Sequence, residues 1–192
     1  MRWDREMQWM SPPKSVAWVD GELRVVTGLQ GDFWRGTYYG FHHHNGHFLH
    51  QPAASEFTAE LRFRAAFSAL YDQAGLMIRA DEAHWIKAGV EYVAGVAYFA
   101  VVVTIGMSDW SQMALPLPVG VIELRVSRSG DAVWVQYLHA GTWRMCRLAY
   151  FPPDLAVEVG PMCCSPSRDG LSVRFLHYEL GPLETKSAYQ TQ

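Results

Sequence analysis

The sequence predicts an all-β protein, a two-sheet antiparallel sandwich of jelly-roll type. Three observations point there. Apolar and polar residues alternate with period two in segment after segment, as they must when successive strand side chains face opposite ways. Turn residues punctuate the chain at about every eight to twelve positions, the spacing of antiparallel sandwiches and barrels. Helical periodicity is weak from end to end, and the best helical candidate is a single turn, Pro152 to Leu155.

The elements follow in order. Glu22 to Thr27 and Phe33 to Phe41 read as early strands. In Phe57 to Ala65, Phe57, Ala59, Leu61, Phe63 and Ala65 alternate with Thr58, Glu60, Arg62 and Arg64. Gly75 to Arg79 and His84 to Tyr92 flank the polar turn Ala80-Asp81-Glu82-Ala83, and Tyr98 to Thr104 comes next. Val121 to Arg128 enters a tight turn at Arg128-Ser129-Gly130-Asp131, and Ala132 to Leu138 returns from it. His139-Ala140-Gly141-Thr142 turns again into Trp143 to Leu148. Leu155 to Pro161 and Leu171 to Leu180 close the series. About ten to thirteen strands favour two packed sheets over one.

The chain has 192 residues, 49% hydrophobic and 18% charged. That is enough apolar material for one core and too little charge for disorder. Residues 1–183 read as one domain and 184–192 as a polar tail. The net charge is -3, with no long run of Lys or Arg. Such a balance carries no footprint for nucleic acid or for an anionic membrane. No stretch approaches the ~20 apolar residues of a membrane helix, and the opening MRWDREMQWM lacks the apolar core of a secretory signal. The three cysteines, Cys146, Cys163 and Cys164, are odd in number and do not suggest a disulfide framework. A reducing, cytoplasmic setting is the expectation. Neither composition nor motif assigns an oligomeric state or a cofactor.

The sharpest candidate site lies on one strand. His84, Ile86, Ala88, Val90 and Tyr92 alternate with Trp85, Lys87, Gly89 and Glu91. One face is apolar; the other presents an indole, an ammonium, a gap and a carboxylate. Lys87 and Glu91 stand roughly 13 Å apart at ~3.3 Å per residue, too far to pair. Each therefore needs a partner on a neighbouring strand or in a ligand. Gly89 leaves space for a ring, and Trp85 offers a platform for one. Sugars are held by such sets, with C–H faces on indole and hydroxyls on charged groups. The competing reading is a cross-strand ion pair on an ordinary exposed face. Asp109-Trp110-Ser111 and Asp72-Gln73 form a second set at strand ends, expected to close the rim of the same groove. Their competing role is to satisfy loop amides and cap the core.

His42, His43, His44, His47 and His50 suggest a metal cluster, since imidazole ligates zinc and nickel. No cysteine is near, the nearest carboxylate in sequence is Glu56, and no H-E-x-x-H occurs. Solvent-exposed loop histidines are the expectation, and no metal is assigned.

Several segments together resemble a known family. They are DFWRGTYYGF at Asp32 to Phe41, NGHF at Asn45 to Phe48, DQAGLMIR at Asp72 to Arg79 and HWIKAGVEY at His84 to Tyr92. Further on come SDWS at Ser108 to Ser111 and the CSP and SRDG pieces between Cys164 and Gly170. In this order they resemble a bacterial and fungal domain-of-unknown-function family sometimes labelled "regulation of enolase". That family is similar in fold to the concanavalin A-like lectins and glucanases. The resemblance runs from about Phe33 to Leu180 and implies a jelly-roll sandwich with a concave face. It implies no activity, and His42 to His44 stand outside the shared pattern.

The glucanases of that fold use Glu-x-Asp-x-(x)-Glu on one strand, and no such string occurs here. Glu91 with Asp72 or Asp109 would meet the ~5–10 Å separation of glycoside hydrolysis only through folding. The Asp/Asn clusters that hold calcium and manganese in the lectins are also absent from the sequence. Cys164 has no positioned histidine to activate it. The leading expectation is a module binding a carbohydrate or small polar ligand through Trp85, Lys87, Glu91, Asp72, Gln73, Asp109 and Trp110. A glycoside-acting enzyme using Glu91 as acid or base, and a protein-interaction domain, are the alternatives.

Overall fold

The computed structural model describes residues 7–116 and 119–184, so the tail expected over 184–192 lies, Glu184 apart, outside the described residues. The strands run β1 (Gln8–Met10), β2 (Ser15–Val19), β3 (Glu22–Val26), β4 (Phe33–Arg35), β5 (His42–His44) and β6 (His47–Pro52). Then come β7 (Phe57–Ala65), β8 (Gln73–Arg79), β9 (His84–Val93), β10 (Val96–Ile105) and β11 (Met107–Ala114). β12 (Ile122–Ser129), β13 (Ala132–His139), β14 (Thr142–Tyr150), β15 (Glu158–Cys164) and β16 (Ser172–Gly181) complete the order. One seven-stranded sheet has the order β1-β6-β15-β8-β9-β10-β11; the other is β14-β13-β12-β7-β16-β3-β2. Every pairing is antiparallel. The result is the predicted all-β jelly-roll sandwich of concanavalin A-like type. Among the described residues no helix is long and apolar enough to cross a membrane.

Alternation builds the core. Phe57, Leu61 and Phe63 of β7 and Leu124 and Val126 of β12 meet Leu76, Ile78, Ile86, Ala88 and Val90 of the opposite sheet. Each of these Val, Leu, Ile and Phe side chains, buried fully, contributes about 1.5–3 kcal/mol, and Ala88 less. The intervening residues of β8, β9, β10 and β15 therefore point out of the sandwich.

Three expectations are corrected. The Pro152 to Leu155 turn is not helical. The buried Arg128 guanidinium donates to the carbonyls of Pro152, Pro153 and Leu155 and holds the segment as a turn. The strand expected over Phe33 to Phe41 ends at Arg35. Gly36, Tyr38 and Gly40 take positive φ (71°, 62° and 74°) and turn the chain into β5, which pairs with β4 as a separate hairpin. Finally, β1, β2, β5, β6 and β11 were absent from the sequence expectation. Among them β2 and β11 are sheet edges and are mostly exposed, so they lack the apolar alternation that marks a half-buried strand.

Candidate functional site

The outward face of the first sheet is only partly open. The β4–β5 hairpin folds over it, and a second apolar cluster forms beneath: Phe33, Phe48, Met77, Trp85, Val102 and Met162 among its members. Trp85 belongs to this filling. It is fully buried, its ring lies 6.2 Å from that of Phe33, and its indole N–H donates to the Glu82 carbonyl at 3.3 Å. The open platform expected of Trp85 is thus a covered one. Gly89 leaves no room for a ring either. A Cβ there would lie 2.2 Å from the Ala74 carbonyl oxygen, because the backbones of β8 and β9 crowd together at the facing pair Gly75 and Gly89.

Beside the filled region a cavity of about 160 Å³ remains. Its sheet side carries Gln73 of β8, Lys87 and Glu91 of β9, Val102 of β10 and Trp110 of β11. Its other walls are Asp32, Trp34, Tyr39, Phe41 and His43 from the covering hairpin and its approach, with Tyr71 from the β7–β8 connection. The rings brace one another: Trp34 meets Tyr39 edge-on at 5.5 Å and Trp110 at 6.4 Å, and Tyr39 stacks on Phe41 at 5.5 Å. Tyr71, held at positive φ, shares a hydrogen bond with Tyr39, and that bond with burial pushes its phenol up to about 12.

The polar groups are organised around Asp32. Its backbone N–H donates to Asn45 Oδ1 at 3.1 Å, and its carbonyl accepts from Asn45 N and Gly46 N at 3.1 Å each. This ties the DFWRG and NGHF segments together. Asp32 Oδ1 accepts from Phe33 N at 2.8 Å, Gln73 Nε2 at 3.3 Å and Lys87 Nζ at 3.5 Å. Lys87 also donates to the Phe33 carbonyl and to Gln73 Oε1, both at 2.7 Å. An ammonium has three donors, so Lys87 is fully engaged by the protein. It clamps the covering hairpin to the sheet.

Glu91 stands opposite Gln73 on one side and Tyr98 on the other. It is 7% exposed, and no hydrogen bond reaches its carboxyl group among the described residues. Burial pushes its carboxyl up to about 7, against the pull of Lys87 and with the help of Asp32. At neutral pH it is therefore shared between acid and carboxylate. The Trp110 indole N–H is buried and also lacks a partner among the described residues.

Of the seven residues nominated from sequence, Gln73, Lys87, Glu91 and Trp110 line this cavity. Trp85 does not, and neither do the two aspartates. Asp72 is fully buried and accepts from Ser68 N, Ala69 N and Arg168 Nη2 at 2.9, 3.0 and 2.6 Å, which pins the corner before β8. Asp109 sits within β11, not at a strand end. It faces the opposite way from Trp110 and pairs with Arg147 at 3.1 Å. The second carboxylate acting on Glu91 is instead Asp32. No sequence pattern marks Asp32, Trp34, Tyr39, Phe41 and Tyr71 as site residues, and they too line the cavity. The available signal was an aromatic-rich turn between Gly36 and Gly40, which is poor material for a buried strand.

The histidines disperse. His43 lines the cavity with its ring 4.6 Å from Phe41, His44 lies 3.7 Å from Glu82 and His50 lies 3.1 Å from Glu158. His47 is a buried structural residue, not an exposed loop one: Nε2 accepts from Gly28 N at 2.9 Å and Nδ1 donates to the Ser11 carbonyl at 2.6 Å. Among the described residues no three His, Cys, Asp or Glu side chains stand together as metal ligands. Cys164 is buried, and burial holds its thiol well above its ordinary value, so a nucleophilic role finds no support.

Similarity to known proteins matches this picture. A family profile described as "Protein of unknown function (DUF1349)" matches residues 9–183. The chain is 41% identical over 173 residues to "Regulation of enolase protein 1" of Saccharomyces cerevisiae, covering 90% of this chain and 87% of that one. A crystal structure of a functionally unknown protein from Saccharomyces cerevisiae superposes with a TM-score of 0.88 at 40% identity, over 93% of this chain and 98% of that one. A GH43 protein from Bacillus licheniformis shares the fold at 15% identity with a TM-score of 0.69. The match covers 95% of this chain and 40% of that one.

Proposed function

The chain belongs to the DUF1349 family, and we propose that its cavity binds a carbohydrate unit or a polyhydroxylated ligand of similar size. One observation carries this reading: aromatic walls surround hydrogen-bonding groups that the protein leaves unspent. The Glu91 carboxyl group takes no hydrogen bond among the described residues and lies in a cavity walled by Trp34, Tyr39 and Tyr71, and Trp110, whose N–H is buried without a partner among the described residues, lines it too. A polar group so placed costs about 1–3 kcal/mol unless a partner arrives. A sugar hydroxyl donates and accepts at once, and sugar C–H faces suit aromatic rings. A volume of about 160 Å³ suits one ring, being small beside the ~300–1,000 Å³ of drug-sized sites. The shared architecture with a GH43 protein supports the reading at the level of the fold. A cytoplasmic setting fits the three free cysteines and belongs to the same proposal.

A glycan array with wild type and Glu91→Ala tests it. Signal from glycans ending in one exposed ring, lost in the variant, is expected; the absence of glycan-dependent signal from wild type refutes the reading. The second reading, a glycoside-acting enzyme, is favoured by one observation: Glu91 holds its proton up to about pH 7, as a general acid does. Turnover of chromogenic glycosides that Glu91→Gln removes would support it, and turnover that survives would clear Glu91 of the role.

A further inference from the structure

The hydrogen-bond accounting inside the cavity narrows the ligand. All three Lys87 donors are spent on Phe33, Gln73 and Asp32. The Gln73 amide gives its oxygen to Lys87 and one N–H to Asp32, and keeps its second N–H. Among the described residues the Glu91 carboxyl group and the second carboxylate oxygen of Asp32 keep free acceptor capacity, and the hydroxyls of Tyr39 and Tyr71 and the His43 ring line the same cavity. Two carboxylates with unspent oxygens therefore share the cavity with one ammonium that has no donor left. The charges agree. Lys87 offsets Asp32, which leaves Glu91 uncompensated once it ionises. Trp34, Tyr39 and Trp110 line the cavity, and aromatic side chains attract cations. An acidic sugar would meet the Glu91 charge as repulsion, and a neutral one would leave the ionised carboxylate unmatched.

Building on the carbohydrate reading, we infer that the ligand of this cavity is an amino sugar with a free, positively charged amine. Its ammonium sits against Glu91 and the open oxygen of Asp32, with its ring among Trp34, Tyr39 and Trp110. An acetylated nitrogen carries no charge and adds bulk, so the acetylated form is excluded. Because the ammonium favours ionised Glu91, binding strengthens as pH rises through about 7 and releases a proton. The titratable groups around Glu91 are Lys87 on its own strand, Asp32, Tyr39 and His43 on the covering segment, Tyr71 on the β7–β8 connection and Cys164 on β15.

Isothermal titration at pH 7.5 with glucosamine, glucose, N-acetylglucosamine and glucuronate decides the ranking. Glucosamine should bind at least tenfold more tightly than the other three. Choline, whose charge is permanent, isolates the protein's own titration: its affinity should rise about tenfold from pH 6 to pH 8, as the ionised fraction of a group with its midpoint near 7 does. Glu91→Gln, checked for an unchanged thermal melt, should erase both effects. Glucose binding as well as glucosamine, or glucuronate binding better, overturns the amine and leaves the sugar reading intact. Choline binding with no sugar bound upholds the cation and overturns the sugar. No binding by any probe overturns both. A choline affinity flat across pH in wild type refutes the role of Glu91 even if the variant fails to fold.

Discussion

Replacing Lys87 with methionine removes an ammonium that is only 4% exposed and strands its three acceptors. Two of them, the Phe33 carbonyl and Gln73 Oε1, lie at 2.7 Å. Hydrogen bonds from a charged donor are each worth about 1.5–3 kcal/mol. The third, Asp32 at 3.5 Å, is a weaker contact but loses its paired cation. Methionine keeps most of the volume, so the cavity contribution is small. The expected loss is about 3–5 kcal/mol, the range for breaking one side of a buried pair. Against the ~5–15 kcal/mol of a whole domain, that shift is large in a urea unfolding curve followed by tryptophan fluorescence. Lys87 also pulls the Glu91 carboxyl down, so Glu91 should titrate above 7 in the variant, as seen by carboxyl carbon NMR. Adding Asp32→Asn to Lys87→Met should recover part of the loss, a coupling that distant sites would not show. A loss below about 1 kcal/mol, or a Glu91 midpoint that stays or falls, would refute the clamp.

Two further predictions concern stability. Trp85→Ala should cost about 3–5 kcal/mol, because it empties a fully buried site beneath the hairpin; a variant as stable as wild type would mean that Trp85 is not packed there. His47 and Glu91 should tilt the pH dependence in opposite directions. Burial lowers the folded pKa of His47, so its contribution is present above the ordinary value of about 6.5 and is lost as pH falls below it. Burial raises Glu91 to about 7, so its contribution is present below its ordinary 4.5 and is lost as pH rises through 7. Unfolding midpoints between pH 5 and 8 for wild type, His47→Gln and Glu91→Gln should therefore give difference curves of opposite slope, and slopes of one sign would refute this assignment.

Several elements were legible in the chain because their cause is local. Phe57 to Ala65 alternates cleanly and forms β7 with those same bounds. His84 to Tyr92 places Ile86, Ala88 and Val90 in the core and Lys87 and Glu91 on the other face, since period two leaves no alternative. That Lys87 pairs with Asp32 and not with Glu91 agrees with the strand rise, which sets Lys87 and Glu91 too far apart for a direct ion pair. Edge strands such as β11 were not readable: an exposed, polar edge has no face to bury and so writes no pattern.

The primary structure by itself determined the sandwich, because period-two burial and turn chemistry act between near neighbours. It also determined which β9 side chains point away from the core. Only the folded chain decided what stands in front of them. The β4–β5 hairpin reaches β9 from more than fifty positions away, buries Trp85, engages Lys87 and leaves Glu91 unpartnered among aromatic rings. No local periodicity encodes that contact, since it depends on where a left-handed turn at Gly36 to Gly40 sends the chain.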